Sequence, residues 1–368
     1  MASLKKRLSG TEVKIFDPRD PSTGSGGAEV LDPTIVKRSD QWWMYLAGQA
    51  HGYGATEIYS ASLPPKAPLS AAGWKLTRDA AGELEPVAGP SLGGRWDSKG
   101  GRHCPSYVRG WDPRKAAWVE RIYYAGAAEN LWGPYSIGFL QWDGEKWMAQ
   151  PEPVFIAQEE WEHGSVYEPN LIYHGGKWKT WYVAGSNQED YLVHGYAESE
   201  DGSTRWSRHK VFAQPEMKMF DFCVRQRGDA FDAIFARVWL SGGAPSPETG
   251  LWWCSGRTPS GELTDWSEPL QIMTAEDRGW HSGPWKPSFQ FDEQNSARAV
   301  VYFDGLYRTS DPGPFPFVFT LGCLDIELPP DLALPRPVVL RRREHAPEDA
   351  AGRHIDRRPT AGVVNDGR

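Results

Sequence analysis

Residues 167–185 read YEPNLIYHGGKWKTWYVAG. The segment begins with a short, mostly apolar stretch, residues 168–172, that carries a proline in its second position. Residues 175–176 are a glycine pair, and an aromatic stretch follows at residues 178–185. Paired glycines between two such runs favour a tight hairpin, and aromatic residues are enriched in strands. The segment therefore predicts a β-hairpin whose first strand contains a proline.

The same layout recurs along the chain. Pro33, Pro105 and Pro287 repeat the position of Pro169, and a weaker copy has Phe222 there. Each interval has room for about four strands of five or six residues with their turns, and no stretch has a convincing helical period. Four-stranded units repeated around a circle form a β-propeller, so we predict an all-β, five-bladed β-propeller. The alternative, a two-domain β-sandwich, does not explain why the proline strand always precedes the aromatic strand.

The chain is expected to divide into three parts. The propeller is predicted at residues 25–335. Residues 1–24 form an N-terminal segment, in which residues 12–16 have the alternation of a strand that could pair with the last blade and close the ring. Residues 336–368 are rich in arginine and proline and are predicted to be a flexible tail.

Composition argues against several classes of function. The 368 residues include 40 Lys and Arg against 48 Asp and Glu, a formal net charge of −8, whereas a nucleic-acid-binding surface needs excess positive charge. No apolar run approaches the roughly 20 residues of a membrane helix, and no secretory leader is recognisable. We therefore expect a cytoplasmic protein whose partner is a small-molecule ligand, with its oligomeric state open.

The cysteines give no sign of a metal centre. Cys104, Cys223, Cys254 and Cys323 are far apart in the chain. Zinc sites use closely spaced ligands such as Cys-x-x-Cys pairs, and free cysteine is one of the most frequently buried residue types. We therefore expect buried free thiols, no metal site and no cofactor.

One residue precedes the proline or its equivalent in every repeat. Since the first strand of each blade lines the central channel, these five side chains should converge on the axis. Three of them are carboxylic acids, although strand formation does not require charge there. Neighbouring carboxyls raise one another's pKa, so such a cluster can hold a proton donor beside an ionised base. The predicted ring consists of Asp32, Cys104, Glu168, Asp221 and Lys286.

Three motifs resemble those of a known group of enzymes. They are Leu31-Asp32-Pro33, the sequence YEPNL at residues 167–171, and GYAESEDG at residues 195–202, closed by Trp206. They are similar to motifs of the five-bladed propeller glycosidases, in both the arabinanase/β-xylosidase group and the invertase/levansucrase group. The resemblance covers about residues 25 to 330 and implies glycoside hydrolysis by two carboxyl groups with opposite tasks.

The resemblance implies a role for each acid of the ring. Asp32 matches the first-blade aspartate that serves as base or nucleophile in both groups. Glu168 matches the third-blade proton donor of the invertase-like group. The arabinanase-like group instead has a pKa-tuning aspartate in that blade and its donor glutamate in the fourth blade, where this chain has Asp221. We predict Glu168 as the acid and Asp221 as a tuner or substrate ligand; the reversed assignment stays open.

Basic and aromatic residues near the ring are candidate substrate contacts. Lys286 could bind a phosphate or carboxylate of the substrate, or it could neutralise one acid of the ring. His163 and His281 each lie five residues before a ring residue, in loops that enter innermost strands, where function concentrates. Aromatic side chains beside the ring can stack on a ligand. The predicted substrate-binding residues are His103, His163, Tyr167, Arg225, His281, Trp285 and Lys286.

The sequence leaves three functions open. The leading prediction is a glycoside hydrolase-like enzyme that acts on a small glycoside or oligosaccharide, with the carboxyls of Asp32 and Glu168 about 5 to 10 Å apart. The second is an acid–base enzyme such as a cyclase, dehydratase, lyase or isomerase acting on a small metabolite. It is favoured because Cys104-Pro105 stands where the invertase-like pattern has Arg-Asp-Pro, so the diol-binding aspartate is missing. The third is a propeller that binds a ligand without catalysis.

Overall fold

The computed structural model describes residues 10–49, 56–70, 72–91, 94–130, 133–186, 191–237, 247–307 and 318–329. These residues form five four-stranded antiparallel sheets joined by turns and short 3₁₀ segments. The prediction of an all-β, five-bladed β-propeller is therefore confirmed. The tail predicted at residues 336–368 lies outside the described residues. No helix within the described ranges is long and apolar enough to cross a membrane.

Four blades are built from consecutive strands, and the fifth takes one strand from the beginning of the chain, β1 (Gly10–Phe16). Blade 1 contains β2 (Glu29–Arg38), β3 (Gln41–Gln49), β4 (Glu57–Ser62) and β5 (Lys75–Leu76). Blade 2 contains β6 (Gly101–Asp112), β7 (Ala117–Ala127), β8 (Tyr135–Trp142) and β9 (Trp147–Ala149). Blade 3 contains β10 (Val166–His174), β11 (Lys177–Ser186), β12 (Tyr191–Ser199) and β13 (Ser207–Ala213).

The last two blades complete the ring. Blade 4 contains β14 (Met219–Arg227), β15 (Ala230–Arg237), β16 (Gly250–Gly256) and β17 (Leu270–Thr274). Blade 5 contains β18 (Gly283–Phe291), β19 (Arg298–Tyr307), β20 (Val318–Glu327) and β1. The 3₁₀ segments in the described ranges are Pro21–Thr23, Glu160–Glu162, Pro215–Met217 and Leu263–Asp265.

Each innermost strand is interrupted at the residue that the repeat places in the ring. The pairing register between the first and second strands of every blade shifts there, which marks a β-bulge. Non-glycine residues rarely adopt the positive φ found at these positions, and a bulge re-aims the side chain that it carries. Proline, which has no N–H for the ladder, follows four of the five. The φ angles are 56° at Asp32, 55° at Cys104, 51° at Glu168, 54° at Asp221 and 43° at Lys286.

The core lies between neighbouring sheets and is rich in large aromatic side chains. Trp178, Trp181 and Trp253 are fully buried there, and all four cysteines are buried free thiols. The motif at residues 195–202 serves this packing. Gly202 has a φ of 68°, and a Cβ at that position would meet the ring of Trp178 at 2.6 Å, so only glycine fits without displacement.

The ring of blades is closed by strand β1. It pairs antiparallel with β20, placing Val13 opposite Cys323. The side chain of Glu12 accepts a hydrogen bond from Nε2 of the buried His281 at 2.8 Å, and the guanidinium of Arg278 lies 3.5 Å from the same carboxylate. These contacts attach the first described strand to the loop that leads into β18.

We expect this closure to contribute measurably to stability. Glu12→Ala leaves a nitrogen of buried His281 without its partner and should lower the free energy of unfolding by about 1–3 kcal/mol. Because His281→Ala removes the same contact, the double variant should cost less than the sum of the two single variants. Urea denaturation of the three proteins measures this coupling. Strictly additive losses would show that the contact does not stabilise the ring.

Candidate functional site

The structure brings the five ring residues together at the axis, and each is at most 5% exposed. The Nζ of Lys286 donates to Oε2 of Glu168 at 2.5 Å and to Oδ1 of Asp221 at 2.8 Å. Oδ2 of Asp32 accepts the backbone N–H of Cys104 at 2.9 Å. Bulges on five different strands thus deliver one cation, three carboxyls and a thiol to one buried cluster.

A fourth carboxyl belongs to the site, and the sequence analysis missed it. Asp304, on the middle strand β19 of blade 5, is fully buried. Both of its oxygens accept the backbone N–H of Asp32, at 2.9 and 2.8 Å. One signal for it was available: Asp304 is the single acid in an otherwise apolar run, AVVYFDGLY at residues 299–307. Asp304 fixes the bulge that carries Asp32.

The pKa values of Glu168, in blade 3, and Asp221, in blade 4, are shifted in opposite directions. Burial raises the pKa of Glu168, but the ammonium of Lys286 and hydrogen bonds from Asp221 and Cys104 outweigh it and hold the pKa below its ordinary value. Burial, and then the negative charge of Glu168, raise the pKa of Asp221 well above its ordinary value. Of the two carboxyls, Asp221 therefore holds a proton more strongly than Glu168 does.

Asp32 titrates closer to neutrality. Burial and the charge of Glu168 raise its pKa to about 6. Burial and the charge of Asp32 in turn raise the pKa of Asp304 well above its ordinary value. Although burial opposes it, the charges of Asp221 and Glu168 raise the pKa of Lys286, which stays an ammonium. The cluster therefore combines four carboxyls, whose pKa values are shifted in different directions, with one ammonium.

Three of these residues could also serve as metal ligands. One oxygen of Asp32, the Sγ of Cys104 and one oxygen of Glu168 lie within 4.8 Å of one another. Burial and the nearby carboxyls raise the pKa of Cys104 well above its ordinary value, so the free protein holds a thiol there. The ammonium of Lys286 already supplies positive charge to this cluster.

Aromatic side chains form an arc beside the ring. The residue before the ring position is aromatic in four blades: His103, Tyr167, Phe220 and Trp285. Ring centroids are 5.9 Å apart between His103 and Tyr135 and 5.3 Å between Tyr135 and Tyr167. They are 6.4 Å apart between Tyr167 and Phe220 and 4.6 Å between Phe220 and Trp285. The arc contains three of the predicted substrate-binding residues, His103, Tyr167 and Trp285. It also contains Tyr135 and Phe220, which the sequence analysis did not select.

Three further predicted substrate residues lie outside the five-residue cluster, and their role stays a prediction. His281 is committed to Glu12 in the ring closure, and so is a structural residue in the free protein. Arg225 lies four residues beyond Asp221 on β14, about 13 Å further along the strand, and donates to the carbonyl of Val224. His163 is exposed and caps the 3₁₀ segment before β10 with a φ of 47°. Spacing along the chain suggested that these residues lie near the ring, whereas the contacts of His281 and Arg225 in the free protein are with Glu12 and with the neighbouring carbonyl of Val224.

Comparisons with known proteins identify the fold. No protein-family model and no curated protein matches the chain. Among solved structures, the catalytic domain of the family 62 α-L-arabinofuranosidase from Coprinopsis cinerea is 12% identical, with a TM-score of 0.55 over 87% of this chain and 96% of its own. A family 117 glycoside hydrolase from Zobellia galactanivorans is 15% identical, with a TM-score of 0.56 over 88% and 92%. The arabinanase of Bacillus subtilis is 11% identical, with a TM-score of 0.53 over 81% and 94%.

These structural neighbours are glycoside hydrolases, so the resemblance seen in the sequence motifs is confirmed at the level of the fold. Identities of 11–15% establish the shared architecture and leave the reaction to be argued from the site.

Lys286→Met tests the electrostatic description of the cluster. Without the ammonium, Glu168 is a buried carboxylate with no cation, and the free energy of unfolding at pH 7 should fall by about 3–5 kcal/mol. In the wild type, the lowered pKa of Glu168 stabilises the fold above the pKa of the unfolded chain. In the variant, the folded state is most stable when Glu168 is protonated. The difference in the free energy of unfolding between the two proteins should therefore shrink as the pH falls from 7 to 4.

Urea denaturation at a series of pH values measures both effects. The matched control is Lys37→Met, which removes an exposed ion pair with Glu293 and should cost at most about 1 kcal/mol. Equal losses in the two variants, or a difference that does not change with pH, would contradict the assigned charges.

Proposed function

We propose that the protein is a glycoside-active enzyme that acts on a small glycoside or oligosaccharide in the axial site. The observation that carries the proposal is one buried cluster of carboxyls with different proton affinities: Lys286 bonds both Glu168 and Asp221, and one oxygen of Asp32 lies within 4.8 Å of one of Glu168. The pKa of Asp32 is raised to about 6, and that of Asp221 is raised well above its ordinary value. Glycoside hydrolysis requires an ionised carboxylate and a protonated carboxyl at the same bond. The chain shares its fold with known glycoside hydrolases, which supports this chemistry.

We assign the ionised role to Asp32. It acts as the base or nucleophile, held in place by the N–H of Cys104 on its carboxylate and by Asp304 on its backbone. One oxygen of Asp32 lies within 4.8 Å of one of Glu168, just below the 5 to 10 Å expected from the sequence.

The proton is supplied by the pair formed by Glu168 and Asp221. The pKa directions favour the assignment that the sequence left as the alternative: Asp221 stores the proton and Glu168 is its ionised partner. Lys286 positions both carboxyls through one ammonium. As the leaving oxygen develops charge, it draws this proton, and Lys286 compensates the negative charge left on the pair.

The charge of the cluster also bears on the substrate. Lys286 is already bonded to two carboxyls, so it has little capacity left for a phosphate or carboxylate of a ligand. Four carboxyls against one ammonium make the site acidic, which favours an uncharged sugar ring whose transition state gains positive charge. We therefore propose a neutral sugar at the scissile bond, in contact with His103 and Trp285, the half-buried members of the aromatic arc, while Tyr135, Tyr167 and Phe220 are buried behind them.

A second candidate is an acid–base enzyme, such as a lyase or isomerase, acting on a small metabolite. The observation that favours it is the nearly complete burial of all five ring residues, together with the thiol of Cys104 in the place of a substrate-binding aspartate. The same pair of carboxyls, Glu168 and Asp221, could instead remove a proton from a carbon atom of the metabolite.

The pH dependence of turnover tests the role of Asp32. Hydrolysis of an aryl glycoside should fall below pH 6, because protonation of Asp32 removes the base, and kcat/KM should show an acidic limb with a pKa of about 6. Asp32→Asn should lower kcat by about a hundredfold or more, whereas Asp143→Asn, at an exposed turn, should match the wild type. A wild type that hydrolyses none of a broad panel of aryl glycosides would contradict the proposed function and favour the metabolite enzyme.

Leaving-group dependence identifies the proton donor. An acidic phenol needs no protonation to leave, so Asp221→Asn should retain most activity on activated aryl glycosides and lose it on alkyl glycosides. Steady-state rates across a series of leaving groups measure this. If Glu168→Gln shows the selective loss and Asp221→Asn does not, Glu168 is the donor and our assignment is reversed.

A further inference from the structure

A second ligand surface lies at the opposite face of the propeller. The ring residues are the third or fourth residues of their strands, so the hairpins that end those strands lie at the far face. His174, at the end of β10, follows Glu168 by six residues, about 20 Å along the strand. A ligand bound at these hairpins therefore does not occupy the axial site.

The first part of this surface is an exposed tryptophan. Trp118, at the start of β7, is 52% exposed and is the one aromatic residue among the large, exposed apolar side chains of the described ranges. Its ring meets Trp111 at a centroid distance of 6.3 Å and Tyr173 at 5.4 Å, both edge to face. These neighbours fix the indole while about half of it faces solvent, which suits stacking on a sugar ring.

A cation accompanies this aromatic platform. The guanidinium of Arg109 lies 5.1 Å from the ring centre of Trp118. Arg109 is exposed, and no acidic side chain of the described residues forms an ion pair with it. The platform therefore offers a π surface and a free positive charge side by side.

A charged cleft adjoins the platform on the other side of the β10–β11 hairpin. It encloses about 510 Å³, within the usual size of ligand pockets. Among its lining groups, three ammonium groups face two carboxylates, so positive charge is in excess in a chain whose net charge is −8. These charged groups belong to Lys177, Lys179, Lys210, Glu198 and Glu262.

An ion pair of the cleft can be exchanged for a ligand. Lys177 is 50% exposed and bonds Glu198 at 2.9 Å, and Lys210 is 48% exposed and bonds Glu262. The Lys210–Glu262 pair is exposed on both sides and such pairs contribute little to stability, so a carboxylate of a ligand can replace Glu262 at small cost. Glu198 is only 13% exposed and stays in place, and the exposed Lys177 can bind a ligand carboxylate beside it. Lys179, which is more buried, keeps Glu198 in place.

We propose that this surface binds an acidic oligosaccharide, with one sugar ring on Trp118 and carboxylates on Arg109 and on the lysines of the cleft. Tyr173 and His174 are consecutive in β10, with Tyr173 against Trp118 and His174 in the lining of the cleft, so one chain crossing this hairpin reaches both parts. The choice of a glycan, rather than another polyanion, rests on the proposed function. The surface would anchor the enzyme to a polymer while the axial site acts on a neutral sugar.

Affinity electrophoresis of the full chain in gels containing polygalacturonate tests the proposal. The wild type should be retarded, and Trp118→Ala should weaken binding about three- to tenfold, the loss expected for one aromatic contact. Arg109→Ala and the double variant Lys177→Ala/Lys210→Ala should also weaken it. The matched controls are Met148→Ala, at another exposed apolar side chain, and Lys37→Ala; both should bind like the wild type.

Further gels separate the alternatives. Equal retardation by dextran sulfate or polyglutamate, unchanged in Trp118→Ala, would show attraction to any polyanion or an acidic protein partner and would overturn the proposal. Absence of retardation by polygalacturonate would also overturn it. Asp32→Asn should bind polygalacturonate like the wild type, and Trp118→Ala should keep the wild-type rate on an aryl glycoside. Failure of turnover and failure of binding are thereby distinguished.

Discussion

The site depends on one buried ammonium. Glu168 and Asp221 come from different blades, and without a cation between them two adjacent carboxyls would both be driven to the neutral acid by burial. Lys286 bonds both, and the pKa of Glu168 is lowered while that of Asp221 is raised. A single side chain from a third blade therefore sets the protonation pattern on which any acid–base chemistry here depends.

Backbone geometry places these groups. Five side chains, which are three acids, one lysine and one cysteine, share a left-handed backbone conformation and a register shift at equivalent points of their strands. Such a conformation is costly for residues other than glycine, and it persists because the sheet on one side and the axial contacts on the other fix it. The scaffold thus determines where a side chain points, and the identity of the residue determines what chemistry it brings.

The sequence predicted the fold and the five ring positions because both follow from local signals that repeat: a proline beside an extended run, a turn and an aromatic strand. It did not predict features that depend on distant partners. Asp304 forms a hydrogen bond with Asp32, which is 272 residues away in the chain. His281 forms one with Glu12, which is 269 residues away. Phe220 resembles any apolar strand residue until its contact with Trp285 is seen. The protonation of Glu168 and Asp221 was likewise open, since it depends on which acid lies closer to the lysine and how deeply each is buried.

The pairing of β1 with β20 has a consequence for how the molecule forms. The two strands lie at opposite ends of the described chain, so the fifth sheet is incomplete until nearly the whole propeller has been synthesised. During translation, the earlier blades must persist while β1 still lacks its partner strand. The final step joins two strands that are very far apart in sequence, and contacts of this kind slow folding. A circularly permuted chain whose new termini lie between β17 and β18 would carry all four strands of blade 5 consecutively and would make that last step local.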